Sequence, residues 1–340
     1  MKNQQGASLV EMLVGLTVGL IVAATAAGTA SFMEAQKKVS MGTNSALANG
    51  ALGLFRIESE TKLAGLGLMA KQNFACPSFN LSYNKQVRLD GDELFPVSIV
   101  DGGEDDSDSL TIAYLNSLTG ASYAQVLLPM LGADSEVKLA NAPDAIVGSV
   151  LLLQESKPGV PCTVVQVSGR KDSAFGADIS HAKGAYNGGG FSNPVAYSEG
   201  SRASASRAFV WSTFRVRENT LEEVNNVTGE ATPIADGIIA MRARYGTTDG
   251  SSTSVSSWQS ATGAYESPAA TDMYKVRAVR IGLVARSLDR DQSCSSTKKE
   301  LTLWPDGPVV DVSAEKDWKC YKYRTFNMVV PLINVVMGLP

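Results

Sequence analysis

The sequence predicts an α+β protein with an N-terminal helical spine packed on antiparallel β-sheet. Two observations carry this. Residues 12–33 contain no charged side chain, and the next thirty or so contain no proline, so one helix can run through both segments. From about Asn73 the pattern changes to short β-rich runs separated by Gly, Asp, Asn and Ser clusters, which reads as strands and loops.

The helix comes first. At 1.5 Å per residue, residues 12–33 span roughly 33 Å, the thickness of a hydrocarbon core. Beyond them, Leu47, Ala51, Leu54 and Phe55 keep helical spacing, so the helix is expected from about Ser8 to Leu63, where "AGLGL" stops it. Gly42, Gly50 and Gly53 each cost it up to about 1 kcal/mol relative to Ala. The amphipathic second half is expected to lie on a sheet.

The strands follow. Candidates are "FPVSIV", "SLTIAYL", "EVKLA", "SVLLLQ", "TVVQVSG", "AFVWSTFRVREN", "TLEEVN", "IIAMRARYG", "VRAVRIGLVARS" and "FNMVVPLINVV". The last is expected to be a buried strand, with its Pro at an edge or a bulge. Two polar stretches, near 176–207 and 246–272, are expected to be long surface loops. They show no aromatic cluster of the kind that anchors binding interfaces. No internal repeat is present.

Composition narrows the function. The chain has 340 residues, 44% of them hydrophobic, and a formal net charge of -4. No basic excess points to nucleic acid. The only histidine, His181, lies in the first polar stretch, and no GxSxG, HExxH, P-loop or GxGxxG pattern occurs. The roles of a catalytic site cannot be filled, so no enzyme and no cofactor are expected. The acidic stretch "DGGEDDSDS" offers Asp101, Glu104, Asp105, Asp106 and Asp108 as oxygen ligands for Ca²⁺. It fails as an EF-hand: the turn Gly is absent, and Leu115 stands where the closing Glu belongs. A solvated turn is the expected reading. Four cysteines without a CxxC pair argue against zinc. In an exported body they would form two disulfides. Of three connectivities, Cys294–Cys320 with Cys76–Cys162 is favoured because the first closes a short loop, contributing roughly 3 kcal/mol.

One residue does not suit a plain membrane segment. Glu11 enters the apolar run, where a carboxylate is expensive. A cleaved secretory signal would want a basic start, and Lys2 is the only basic residue before the run. A simple anchor leaves Glu11 unexplained, and Lys37 and Lys38 flank its far side, against the positive-inside rule.

The stretch "QGASLVEMLVGL" resembles the class III leader of type IV prepilins and pseudopilins. That resemblance implies cleavage after Gly6 by a prepilin peptidase, N-methylation of Ala7 as the new first residue, and an assembly role for Glu11. The first mature residue in that family is most often Phe; here it is Ala7. Further along, "ESETKLAGLGL", "IADGIIAMRARYGTTDG", "VRAVRIGLVARS" and "YKYRTFNMVVPLIN" are similar, in order, to blocks of PilW-type minor pilins.

The resemblance implies a type IV pilin-like fold, divided as leader 1–6, transmembrane and assembly helix 7–33, periplasmic half of the spine 34–65, and β-rich globular domain 66–340. It implies a minor pilin that helps prime pilus assembly at or near the tip. The implied partners are other minor pilins, the major pilin, the inner-membrane assembly platform and a large tip adhesin. The implied location is the inner membrane, with the globular part periplasmic, and then the pilus. Two rivals stand beside it: a J-type minor pseudopilin of type II secretion, and a tip adhesin subunit.

Overall fold

Helix α1 runs unbroken from Leu9 to Thr61, 53 residues, or about 80 Å at 1.5 Å per residue. The computed structural model describes the chain except residues 1–8, 71–72, 75, 77, 105, 117–122, 133–135, 156–158, 187–189, 193–195, 250–251, 292 and 338–340. After α1 a series of turns leads into sheet, and the described fold is mostly β.

Three larger sheets follow rather than one. The five-stranded sheet runs Ala231–Asp236, Thr220–Asn225, Phe209–Arg217, Ser109–Leu115, Val97–Val100, and the four-stranded sheet Ser257–Gln259, Ile238–Thr247, Val276–Arg286, Tyr323–Pro331. Between Ser109–Leu115 and Phe209–Arg217 the chain leaves to build most of a nine-stranded sheet. That sheet is not wholly antiparallel, because Cys162–Gln166 pairs in parallel with Ser78–Tyr83.

Alternation sorts the side chains. In the central strand Val150–Gln154, Leu151 and Leu153 enter one core while Val150 and Leu152 enter another. A strand covered on both faces reads as an unbroken apolar run, which is why "SVLLLQ" is legible. The hairpin joining Phe209–Arg217 to Thr220–Asn225 turns on Glu218 (φ 49°) and Asn219 (φ 61°). Two consecutive positive φ values match the right-handed twist of the flanking strands.

The main core lies between the last turns of α1 and the two smaller sheets. Ala46, Leu54 and Ile57 meet Ile112, Phe214, Leu221, Met241, Ile281 and Leu283 there. Both disulfides are formed. Cys76–Cys162 closes 86 residues beside the parallel strand pair, and Cys294–Cys320 closes 26.

Several expectations need correction. The stretch 176–207 contributes strands Gly176–Ser180 and Arg202–Ser206 at its two ends. The stretch 246–272 holds Ser257–Gln259 and the start of a short helix, Ala270–Met273. His181 is buried, not in a solvated loop. The C-terminal run is no single buried strand. Tyr323–Pro331 is an edge strand with most residues partly exposed, and Ile333–Met337 is helical. Pro331 closes the strand because it has no N–H to continue a ladder.

Candidate functional site

The first half of α1 is the most conspicuous surface on the chain. Met12–Ala30 is long and apolar enough to cross a membrane, and none of it is buried against the rest of the protein. Leu13, Leu16, Leu20 and Ile21 all point outward. Its hydroxyls are satisfied within the helix. Thr17 donates to the carbonyl of Val14 (2.9 Å), Thr25 to that of Val22 (2.9 Å) and Thr29 to that of Ala26 (2.9 Å). Such back-bonding lets a polar side chain sit in hydrocarbon without an orphaned group.

Glu11 lies on α1 near its start, though its side chain is outside the described residues. Gly6 and Ala7, the predicted cleavage position, also lie outside them.

The second half of α1 changes partner. Its glycines, counted from sequence as a cost to the helix, are points of close approach. A Cβ on Gly50 would stand 2.1 Å from Cε2 of Phe326, and one on Gly53 would stand 2.9 Å from Cδ2 of Leu221. The missing side chains let the helix sit down on the sheets.

A polar clamp fixes the end of that seat. The Tyr114 hydroxyl donates to Glu60 Oε2 (2.5 Å), and Arg56 bridges Glu60 Oε1 (2.7 Å) and Glu223 Oε2 (2.8 Å). Glu60 and Tyr114 are buried. Burial, and then the Glu60 carboxylate, push the Tyr114 hydroxyl far above its ordinary value. It stays protonated and remains a donor. Sequence reading passed over this clamp. The Arg56–Glu60 spacing of i, i+4 was the available signal, but Tyr114 and Glu223 are brought in by tertiary packing.

The acidic stretch organises around an arginine. Arg242 reaches Asp108 Oδ1 (3.2 Å), the Glu104 carbonyl (3.0 Å) and the Asp106 carbonyl. Asp108 also accepts from the backbone N–H of Gly102 (3.1 Å) and Ala243 (2.7 Å). Burial raises the Asp108 carboxyl above the usual range, opposed by these two N–H donors and by Arg242. The guanidinium takes the place a cation would have on Asp108, while Asp101 caps its own turn through Gly103 N–H (2.6 Å). Among the described residues no three His, Cys, Asp or Glu side chains gather as a metal site.

The comparisons with known proteins bear on both ends of the chain. Residues 203–334 match the family model of PilW, the type IV pilus-assembly protein W, and residues 1–27 match the prokaryotic N-terminal methylation motif. No curated protein and no solved structure matches the chain. The PilW match spans most of Arg202–Ser206 in the nine-stranded sheet, three strands of the five-stranded sheet and all of the four-stranded sheet. The methylation motif covers the apolar start of α1. Together they support a pilin associated with the type IV pilus.

Proposed function

We propose that this type IV pilus-associated pilin is a minor pilin that helps prime pilus assembly at or near the tip. The observation that carries the reading is the continuity of α1. One helix joins the methylation motif and an unburied membrane-length segment to a seat in the core formed with the PilW-matching region. A chain so built can be held in the inner membrane with its body in the periplasm and then be withdrawn into a helical assembly.

The proposed chemistry follows from charge. Cleavage after Gly6 creates an α-amine on Ala7, which is then N-methylated. Glu11 of one subunit meets the amine of a neighbour, relieving the cost of an unpaired carboxylate in lipid. Apolar packing of the helices supplies the attraction, and this ion pair supplies register. The protein is non-enzymatic and takes no cofactor. Its partners are other minor pilins, the major pilin, the prepilin peptidase that processes it, the assembly platform and a large tip adhesin.

Deleting the gene and measuring surface pili, twitching and secreted enzymes together tests the reading. Loss of pili with normal secretion supports it. Normal pili with lost secretion would favour a J-type pseudopilin, and normal pili with lost attachment a tip adhesin subunit.

A further inference from the structure

The four-stranded sheet has a face turned away from α1, and that face carries four arginines. Arg242 and Arg244 alternate on one central strand with Met241, Ala243 and Tyr245; Arg280 and Arg286 lie on the other with Ile281, Leu283 and Ala285. Those apolar neighbours enter the main core, so the arginines emerge on the opposite face. Two of the four have carboxylate partners: Arg242 on Asp108 and Arg286 on Glu315 (3.1 Å).

The other two do not. Arg244 and Arg280 stand directly opposite each other on adjacent strands. Among the described residues neither side chain forms a hydrogen bond or an ion pair, and the Nε of Arg280 is buried without an acceptor. Like charges directly opposite destabilise a sheet, and a buried donor without a partner adds to that cost.

Aromatic rings hold the pair. The Arg280 guanidinium lies 4.8 Å from the Trp304 ring centre and 5.6 Å from that of Trp258, and Arg244 lies 5.9 Å from Trp304. Both rings rest on bare backbone. A Cβ on Gly246 would come 2.8 Å from Trp258, and one on Gly282 would come 2.7 Å from Trp304. The indoles stabilise the cations but supply no oxygen to the in-plane N–H fork, whose geometry matches a carboxylate.

We propose that Arg244 and Arg280, walled by Trp258 and Trp304, form a docking site for a carboxylate-bearing segment of a protein partner. Charge complementarity calls for the acid. Tryptophan and arginine are among the residues enriched at the energetic hot spots of protein interfaces. Val329, directly opposite Arg280, is about half exposed, and its strand is the open edge of the sheet. An extended partner segment therefore has apolar and backbone surface to lie beside. The inference concerns the face opposite α1 and stands whether or not the chain primes pilus assembly.

The test uses the full chain in neutral detergent, with tryptophan fluorescence followed during titration at constant ionic strength. The probes are a short oligoglutamate peptide, sodium sulfate, and phosphatidylglycerol vesicles. The expected result is a saturable response to the peptide, weakened about tenfold or more in Arg244→Gln, Arg280→Gln and Arg280→Lys. The lysine variant keeps the charge and loses the fork, and near-UV circular dichroism confirms that each variant is folded. A peptide response unchanged in folded variants overturns the proposal. So does a response to sulfate or vesicles equal to that of the peptide, which would assign the site to free oxyanions or to lipid.

Discussion

Tyr114 donates a 2.5 Å hydrogen bond to Glu60, tying the last turn of α1 to the five-stranded sheet. Glu60 is buried, and among the described residues Tyr114 and Arg56 alone replace water on its two oxygens. Tyr114→Phe keeps the ring and removes the donor. The expected loss is about 1–3 kcal/mol, read from denaturant unfolding of the full chain in detergent. An unchanged midpoint would mean that the clamp does not hold the helix end.

Gly50 is the second contact to test. Elsewhere on an exposed helix Gly→Ala stabilises by up to about 1 kcal/mol. Here the added methyl meets the Phe326 ring, so Gly50→Ala is expected to destabilise by about 1–3 kcal/mol through overpacking. Phe326→Leu in the same chain should recover part of the loss. The double-mutant cycle, measured by thermal unfolding, checks both the sign and the coupling.

Arg242 carries the third prediction. Removing one partner of a buried ion pair leaves the other charge uncompensated, so Arg242→Met is expected to cost about 3 kcal/mol at neutral pH. Asp108→Asn in that background should restore part of it. Calorimetry with Ca²⁺ on the unmodified chain should give no saturable heat, because Arg242 already occupies Asp108.

The fourth concerns alkaline pH. Burial pushes the Tyr245 hydroxyl up to about 12 from an ordinary 10, partly offset by the hydrogen bond it accepts from Ile99 N–H (2.5 Å). A raised folded value means that the unfolded chain loses this proton first. Stability is then fully present below pH 10 and falls as pH rises toward 12. Stability measured against pH should decline more shallowly over that window in Tyr245→Phe.

What could be read from sequence follows the physics of each segment. The ends of α1 were readable because an uncharged run passes without proline into an amphipathic one. Strands such as Ser109–Leu115 and Val276–Arg286 were readable because β-branched and aliphatic residues fill them. Arg202–Ser206 was not, because Ala and Ser carry no strand signal; it exists through pairing on both sides. His181 looked solvated because its neighbours in sequence are polar, yet tertiary packing buries it. The acidic stretch was read as a solvated turn and only a weak Ca²⁺ candidate, because its partner Arg242 lies far away along the chain and is brought to Asp108 by tertiary packing. The 246–272 stretch showed no aromatic cluster by itself; Trp258 acquires one only when the sheet brings it to Arg280, beside Trp304.

In the proposed function Gly6 ends a leader and Ala7 begins the working protein. The most direct measurement is the N-terminal mass of the chain purified from cells with and without an active prepilin peptidase. A chain starting at Ala7 with a methylated α-amine is expected in the first case and the uncut leader in the second. A cut within the small residues "AATAAGTA", or a leader retained in the presence of active peptidase, would contradict it.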